Sequence, residues 1–391
     1  MQKDRDVVLD FDVNEGGPFV ALMEQLNIWR QDRDTRIQRA AILVALAWGV
    51  PLILSVFEEH AIGPVEAEPY LLSLNAWARY FLAVGLFVLT EKKVADMLRS
   101  ILGRFFDAPI VAESSRDEAV RAVTRALERR NSRGAEGVIL VIAALATLFT
   151  SQIVLRGSVE PSWILQPDSE GVLRFTVAGI WGIFISGTIF FFLLFRWLWR
   201  FIIWSRLLSD FSNLDLRLAV QHPDKSGGLG FIGLTPIAFA PLVFVVSLWI
   251  APVTAQLLAR GELTTTAFTV VMAAWLGFVH IALALPLLTF TEPLEELKKR
   301  TMRITGAQAT RGLYEREELQ RSGEAPLPSG PAPAFPPSGN YAAADAMSTV
   351  LFNRASIVPV SLAALIPLAL AGATQFPFRE VLQILKKLVL F

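Results

Sequence analysis

Long runs of apolar, almost uncharged residues constrain this chain more than any other feature. Residues 40–57, 137–155, 175–195, 231–258 and 263–291 carry no charge, and residues 70–90 carry one, Arg79. At about 1.5 Å of rise per residue, roughly 20 residues cross a hydrocarbon core of about 30 Å, so each run can span as a helix. A membrane β-barrel would instead show alternating segments of about 10 residues. These runs are continuous, and a helix satisfies its own backbone groups where no water can. The expected fold is all-α: a polytopic membrane protein with six transmembrane helices and a marginal seventh or re-entrant segment. Charged residues make up 18% of the chain, against about 25% in soluble domains.

Basic residues set the expected orientation. With the N-terminus cytoplasmic, the inside segments hold 28 Lys and Arg and the outside loops three, Arg156, Arg174 and Arg260. Residues 1–15 mix charges and contain no apolar core segment, so no cleavable signal peptide is expected. The expected organisation is a cytoplasmic N-terminal amphipathic region at 1–39, spans one and two within 40–90 and a cytoplasmic helical pair at 91–136. Spans three to six lie within 137–291, with a cytoplasmic loop at 196–230. A cytoplasmic helix follows at 292–321, then a Pro-rich flexible linker at 322–346, and 347–391 completes the chain.

Within those regions, Phe19, Leu22, Met23, Leu26 and Trp29 recur at helical spacing. Ser115 followed by Glu118 predicts a capping box opening the second helix of the pair. Residues 355–377 are uncharged but hold Pro359, Pro367 and Pro377, and crossing would place Arg379, Lys386 and Lys387 outside. The charge rule therefore leans towards a non-crossing hairpin. Residues 378–391 alternate apolar and basic faces, predicting an interfacial helix.

The most unusual segment runs His222-Pro-Asp-Lys-Ser-Gly-Gly-Leu-Gly-Phe231, just before span five. Gly228, Gly230 and Gly233 fit a dinucleotide fingerprint, but that motif needs a soluble βαβ unit around it. The His-Pro-Asp tripeptide is similar to the J-domain loop, yet a transmembrane span follows instead of a soluble helix. Two readings remain. One is a tight turn that needs its glycines. The other is an ion, anion or gating site at the cytoplasmic mouth, built from His222, Asp224, Lys225, Ser226, Gly227 and Gly228, whose backbone amides can form an anion-binding concavity. Asp224 or Ser226 could also cap the next helix. The segment resembles one found between spans in an uncharacterised family of bacterial multi-pass inner-membrane proteins. The resemblance covers ten residues and the general layout. It implies a bacterial inner membrane and carries no activity and no functional residues.

Ionisable residues inside spans are functional candidates by default. Arg79 in span two is expected to snorkel or to pair with Glu58 or Glu59, and His280 in span six to bond a nearby carbonyl or to line a polar path. His60 and His222 fall on opposite sides, so no multi-histidine metal centre is expected, and no cofactor. Prolines at 51, 236, 241, 252 and 286 predict broken helices, a transporter and channel feature. Ala178, Gly182 and Ser186 form a small-residue stripe for close helix packing. Residues 196–206 interleave Arg and Trp and read as an interfacial belt at headgroup level.

No catalytic constellation is present: there is no cysteine, no Walker loop and no H-E-x-x-H. The expected function is a channel or transporter for an ion or small solute, working as a homo-oligomer. The alternative is a scaffold, sensor or accessory subunit that binds a cytoplasmic protein partner. The bilayer is the expected surrounding, and zero net charge gives no reason to expect nucleic acid.

Overall fold

The computed structural model describes residues 11, 16–25, 35–63, 68–157, 161–322, 339–352, 354–376 and 378–389. Leu26, Trp29 and residues 323–338 of the Pro-rich linker lie outside them, while residues 339–345, expected as the end of that flexible linker, are helical. A short helix α1 (Pro18–Gln25) precedes span one, α2 (Arg36–Phe57). Span two, α3 (76–89), is a π-helical stretch, Ala76–Ala83, followed by α-helix Val84–Leu89. The helical pair is α4 (Glu91–Asp107) and α5 (Arg116–Arg130), and span three is α6 (Arg133–Gly157). A two-stranded hairpin, β1 (Leu165–Pro167) with β2 (Leu173–Phe175), leads into span four, α7 (Val177–Ser212). Spans five and six are α8 (Gly230–Ala259) and α9 (Thr265–Leu288), followed by the long α10 (Thr291–Arg321). The chain closes with α11 (Gly339–Asp345), α12 (Arg354–Ala373) and α13 (Phe378–Val389).

Among the described residues, six helices are long and apolar enough to cross a membrane: α2, α6, α7, α8, α9 and the one containing 355–373. This is a polytopic α-helical membrane protein. The tally differs from the expectation in one exchange. Span two is short as a helix, and the proline-bearing seventh segment is a full-length one. α12 starts beside the His-Pro-Asp loop, where Ser348 donates its amide to the Lys225 carbonyl at 2.7 Å. It ends beside the start of α9, where Phe376 meets Phe268 at 6.0 Å between ring centroids. The segment therefore runs the length of the bundle and does not turn back. Packing along α8, with Val360, Ala364, Leu365 and Leu368 fully buried, decides this over the charge count. Of the apolar face expected on α13, Val381 is buried; several of the other side chains lie outside the description.

Among the described residues three spans carry a π-helical turn: Ala45–Gly49 in α2, Ala76–Ala83 in α3 and Trp181–Ser186 in α7. A π turn lets a carbonyl lean away from its own ladder. In α2 two such carbonyls are captured from outside. Trp181 Nε1 donates to the Leu46 carbonyl at 3.0 Å, and Tyr70 Oη donates to the Trp48 carbonyl at 2.7 Å. The Trp48 ring packs on Trp77 (4.5 Å) and Phe81 (5.3 Å) of α3. The prolines break less than expected. Pro236 and Pro241 sit in first turns of their helical segments, where no ladder bond is lost, while Pro51, which follows the π turn of α2, and Pro252 and Pro286 are interior.

The hairpin before α7 was not foreseen. It delivers Trp163, fully buried, onto Gly182 and edge-on to Tyr70 at 4.7 Å. The stripe of Ala178, Gly182 and Ser186 is thus used within the chain; Ala178 and Ser186 are also wholly buried. Ser115 starts α5 without capping it, since its hydroxyl accepts from the Asp215 amide at 3.2 Å. The helical pair packs on the end of α7, where Arg125 approaches Asp210 at 3.4 Å, as expected of a hairpin leaning on the bundle.

Candidate functional site

Arg79 sits in the π turn of α3 and is 4% exposed. The expected partner is taken: Glu58 accepts the amides of Val177 and Ala178 at 2.8 and 3.0 Å and so caps α7. Among the described residues no carboxylate lies within ion-pair distance of Arg79, and its Nε is buried without a hydrogen-bond partner. Its guanidinium lies instead over the rings of Phe191 (4.6 Å) and Phe190 (4.8 Å) of α7. Gly187 leaves room beside it: a Cβ there would stand 3.7 Å from Arg79 Nη2.

Magnitudes show what this arrangement lacks. An arginine at mid-membrane costs about 2.5–3.5 kcal/mol on insertion scales. A desolvated cation–π contact returns roughly 2 kcal/mol, so two rings can offset much of the charge. They cannot satisfy the buried Nε–H, which costs about 1–3 kcal/mol when its bond is left unmade. What the pocket lacks is an acceptor, and an anion would supply one.

A second cluster lies further along α7. Arg196 and Arg200 are 5% and 3% exposed. They are buried inside the protein, where an interfacial belt would have them face the lipid. Arg200 Nη2 donates to Glu91 Oε1 at 2.8 Å, and Arg39 Nη1 donates to Glu91 Oε2 at 3.0 Å. Arg196 Nη1 stands 3.9 Å from Glu91 Oε1, and its Nε 3.4 Å from Glu136 Oε1. Glu136 also accepts the Phe19 amide at 2.7 Å. Burial alone would raise the Glu91 carboxyl, but the charges of Arg200, Arg196 and Arg39 outweigh it and hold it below the usual range. The sequence held one signal for this cluster. Residues four apart share a helix face, so two arginines there need a common acid.

The His-Pro-Asp loop is a closed turn. Asp224 Oδ1 accepts the amides of Ser226 (2.8 Å) and Gly228 (3.1 Å), and Oδ2 accepts that of Gly230 (2.8 Å). His222 Nδ1 lies 2.8 Å from Asp224 Oδ1. The concavity expected to bind an anion is therefore filled by the chain's own carboxylate. Lys225, Gly227 and Gly228 take positive φ of 54°, 67° and 99° to make the turn. Burial opposes ionisation of Asp224, but the three amides and His222 outweigh it and hold its carboxyl low. The loop's visible task is docking: it receives Ser348, and Met347 and Leu294 pack against Gly227.

His280 has its Nδ1 2.8 Å from the Leu276 carbonyl and its Nε2 3.3 Å from Ser361 Oγ of α12. It bonds a neighbouring carbonyl, as one expectation had it, and also ties span six to the seventh helix. Structure thus brings Arg79 to the aromatic face of α7, and leaves His280 and the loop at other places. Among the described residues no group of His, Asp and Glu could hold a metal ion. No protein-family model matches the chain, and no curated protein or solved structure matches it.

Proposed function

We propose that the protein is a channel or transporter of a bacterial inner membrane that passes an anion, with Arg79 as its intramembrane binding group. The observation that supports this is the burial of Arg79 with no carboxylate beside it among the described residues. A structural arginine inside a membrane is ordinarily paired, and an unpaired one offers its donors and its charge to a ligand. In this reading the N-terminus is cytoplasmic, which the basic residues at the bundle end that holds Arg39, α4 and α5 support. Function as a homo-oligomer fits the open apolar faces of α2 and α6, where Ile53, Phe57, Val141 and Phe149 are exposed.

Anion flux into proteoliposomes, read with a halide-quenched dye, tests the reading. Wild type should pass chloride or a larger monovalent anion. Arg79→Met should slow flux more than about tenfold, Arg79→Lys less. Arg79→Met should melt no lower than wild type, because it removes an unpaired buried charge. Cation flux in place of anion flux, or undiminished flux in Arg79→Met, overturns the assignment.

A second reading has its own observation. α10 leaves Ile304, Leu313 and Tyr314 exposed on a helix of 31 residues. That surface supports a scaffold or accessory subunit with a cytoplasmic protein partner. Recovery of one stoichiometric partner in cross-linked native membranes, lost in Leu313→Glu, would favour it.

A further inference from the structure

We propose that a groove between α1, α6 and α7 is a phospholipid site, with an acyl chain in the groove and an anionic headgroup on Arg133. The groove has a volume of about 520 Å³ and an almost wholly apolar wall, in which Phe19 and Leu22 of α1 face Leu140 of α6 and Ile189 and Phe192 of α7. Two of those helices are long and apolar enough to cross the membrane, so the opening faces hydrocarbon. Leu22 and Leu140 are each about half exposed, 52% and 51%, and have apolar lipid as their natural neighbour.

The polar end of the groove selects the headgroup. Two ionisable side chains stand there, Arg133 and Glu136. Glu136 is already engaged, by Arg196 Nε at 3.4 Å and the Phe19 amide at 2.7 Å. Arg133 is exposed and has no carboxylate partner among the described residues. The mouth therefore presents a net cation at the first turn of α6, one helical turn from an apolar slot. A phosphate there with its chain along the slot satisfies both ends, and a basic site between spans favours anionic over zwitterionic lipid. The Phe19 amide and ring also couple α1 to the Glu136–Arg196 pair, with the Arg196 guanidinium 4.9 Å from the ring. Occupancy of the groove should accordingly hold α1 against the bundle.

Gly137 makes the test clean. It lines the groove, and a Cβ built on it meets nothing within 4 Å. Gly137→Leu therefore starts a side chain from an uncrowded Cβ into the slot. The experiment is native mass spectrometry of purified full-length protein in mild detergent with added phosphatidylglycerol or phosphatidylethanolamine. Wild type should retain phosphatidylglycerol several-fold more than phosphatidylethanolamine. Arg133→Gln should lower phosphatidylglycerol retention about fivefold and leave phosphatidylethanolamine unchanged, with Arg133→Lys restoring most of it. Gly137→Leu should lower retention of both lipids, at an unchanged melting temperature. Equal retention of the two lipids by wild type, or retention indifferent to both Arg133→Gln and Gly137→Leu, overturns the proposal. Neither result depends on whether the protein transports anions.

Discussion

Arg200 and Glu91 meet across 2.8 Å, both almost wholly buried, one late in α7 and the other at the first residue of α4. The contact ties the end of span two to span four, and Arg39 adds span one through the other carboxylate oxygen. One acid thus holds three helices. Removing one member of a buried charged group costs about 3–5 kcal/mol, because the partners are left uncompensated.

Glu91→Gln should therefore lower stability by about 3–5 kcal/mol, far more than any exposed Glu→Gln control. The acid limb gives a sharper reading. The folded carboxyl lies below its ordinary value of 4.5, so its contribution is full above that value and is lost as pH falls through the folded one. Melting in detergent should fall steeply below about pH 4.5 in wild type and less steeply in Glu91→Gln. Parallel pH profiles would show that Glu91 does not bear this load.

Span positions were legible because they depend on local properties, length and the absence of charge. The helical pair at 91–130 was legible for the same reason, from periodicity and a proline break at Pro109. The Glu91 cluster was not, because it draws on residues 39, 91, 136, 196 and 200, each unremarkable in its own window. Beside Trp197 and Trp199, Arg196 and Arg200 read as headgroup anchors; only the third dimension brings Glu91 to them. The π turns were hidden likewise. The one in α2 goes with Trp181 and Tyr70, distant in sequence, capturing the carbonyls of Leu46 and Trp48. Arg79 was legible as a candidate but not as an unpaired one, since that depended on Glu58 being committed to the start of α7.

Asp224 anchors a turn, so its loss should be structural. Asp224→Ala strips the acceptor from three amides and should cost about 1–3 kcal/mol. Its folded carboxyl lies below the ordinary 3.8, so this contribution holds above that pH and fades as pH falls beneath it. Because Ser348 hangs on the Lys225 carbonyl, hydrogen exchange across residues 339–352 should accelerate in the variant. Anion flux per folded molecule should stay as in wild type. A changed ion preference in Asp224→Ala would return the loop to the conduction path.

Three glycines in spans sort by what stands opposite them. A Cβ at Gly179 would come within 2.3 Å of the Ile164 carbonyl oxygen, which is backbone and cannot swing aside. At Gly182 it would meet the Trp163 ring at 2.6 Å, and that ring is wedged against Tyr70. At Gly277 it would meet nothing within 4 Å. Overpacking costs about 1–3 kcal/mol, whereas Gly→Ala in an open helical position gains up to about 1 kcal/mol. Gly179→Ala and Gly182→Ala should therefore melt lower than wild type, with Gly179→Ala the worse. Gly277→Ala should melt at or above wild type. If Gly182→Ala were as benign as Gly277→Ala, the Trp163 hairpin would not be seated on α7, and the close approach of hairpin and span four would have to be given up.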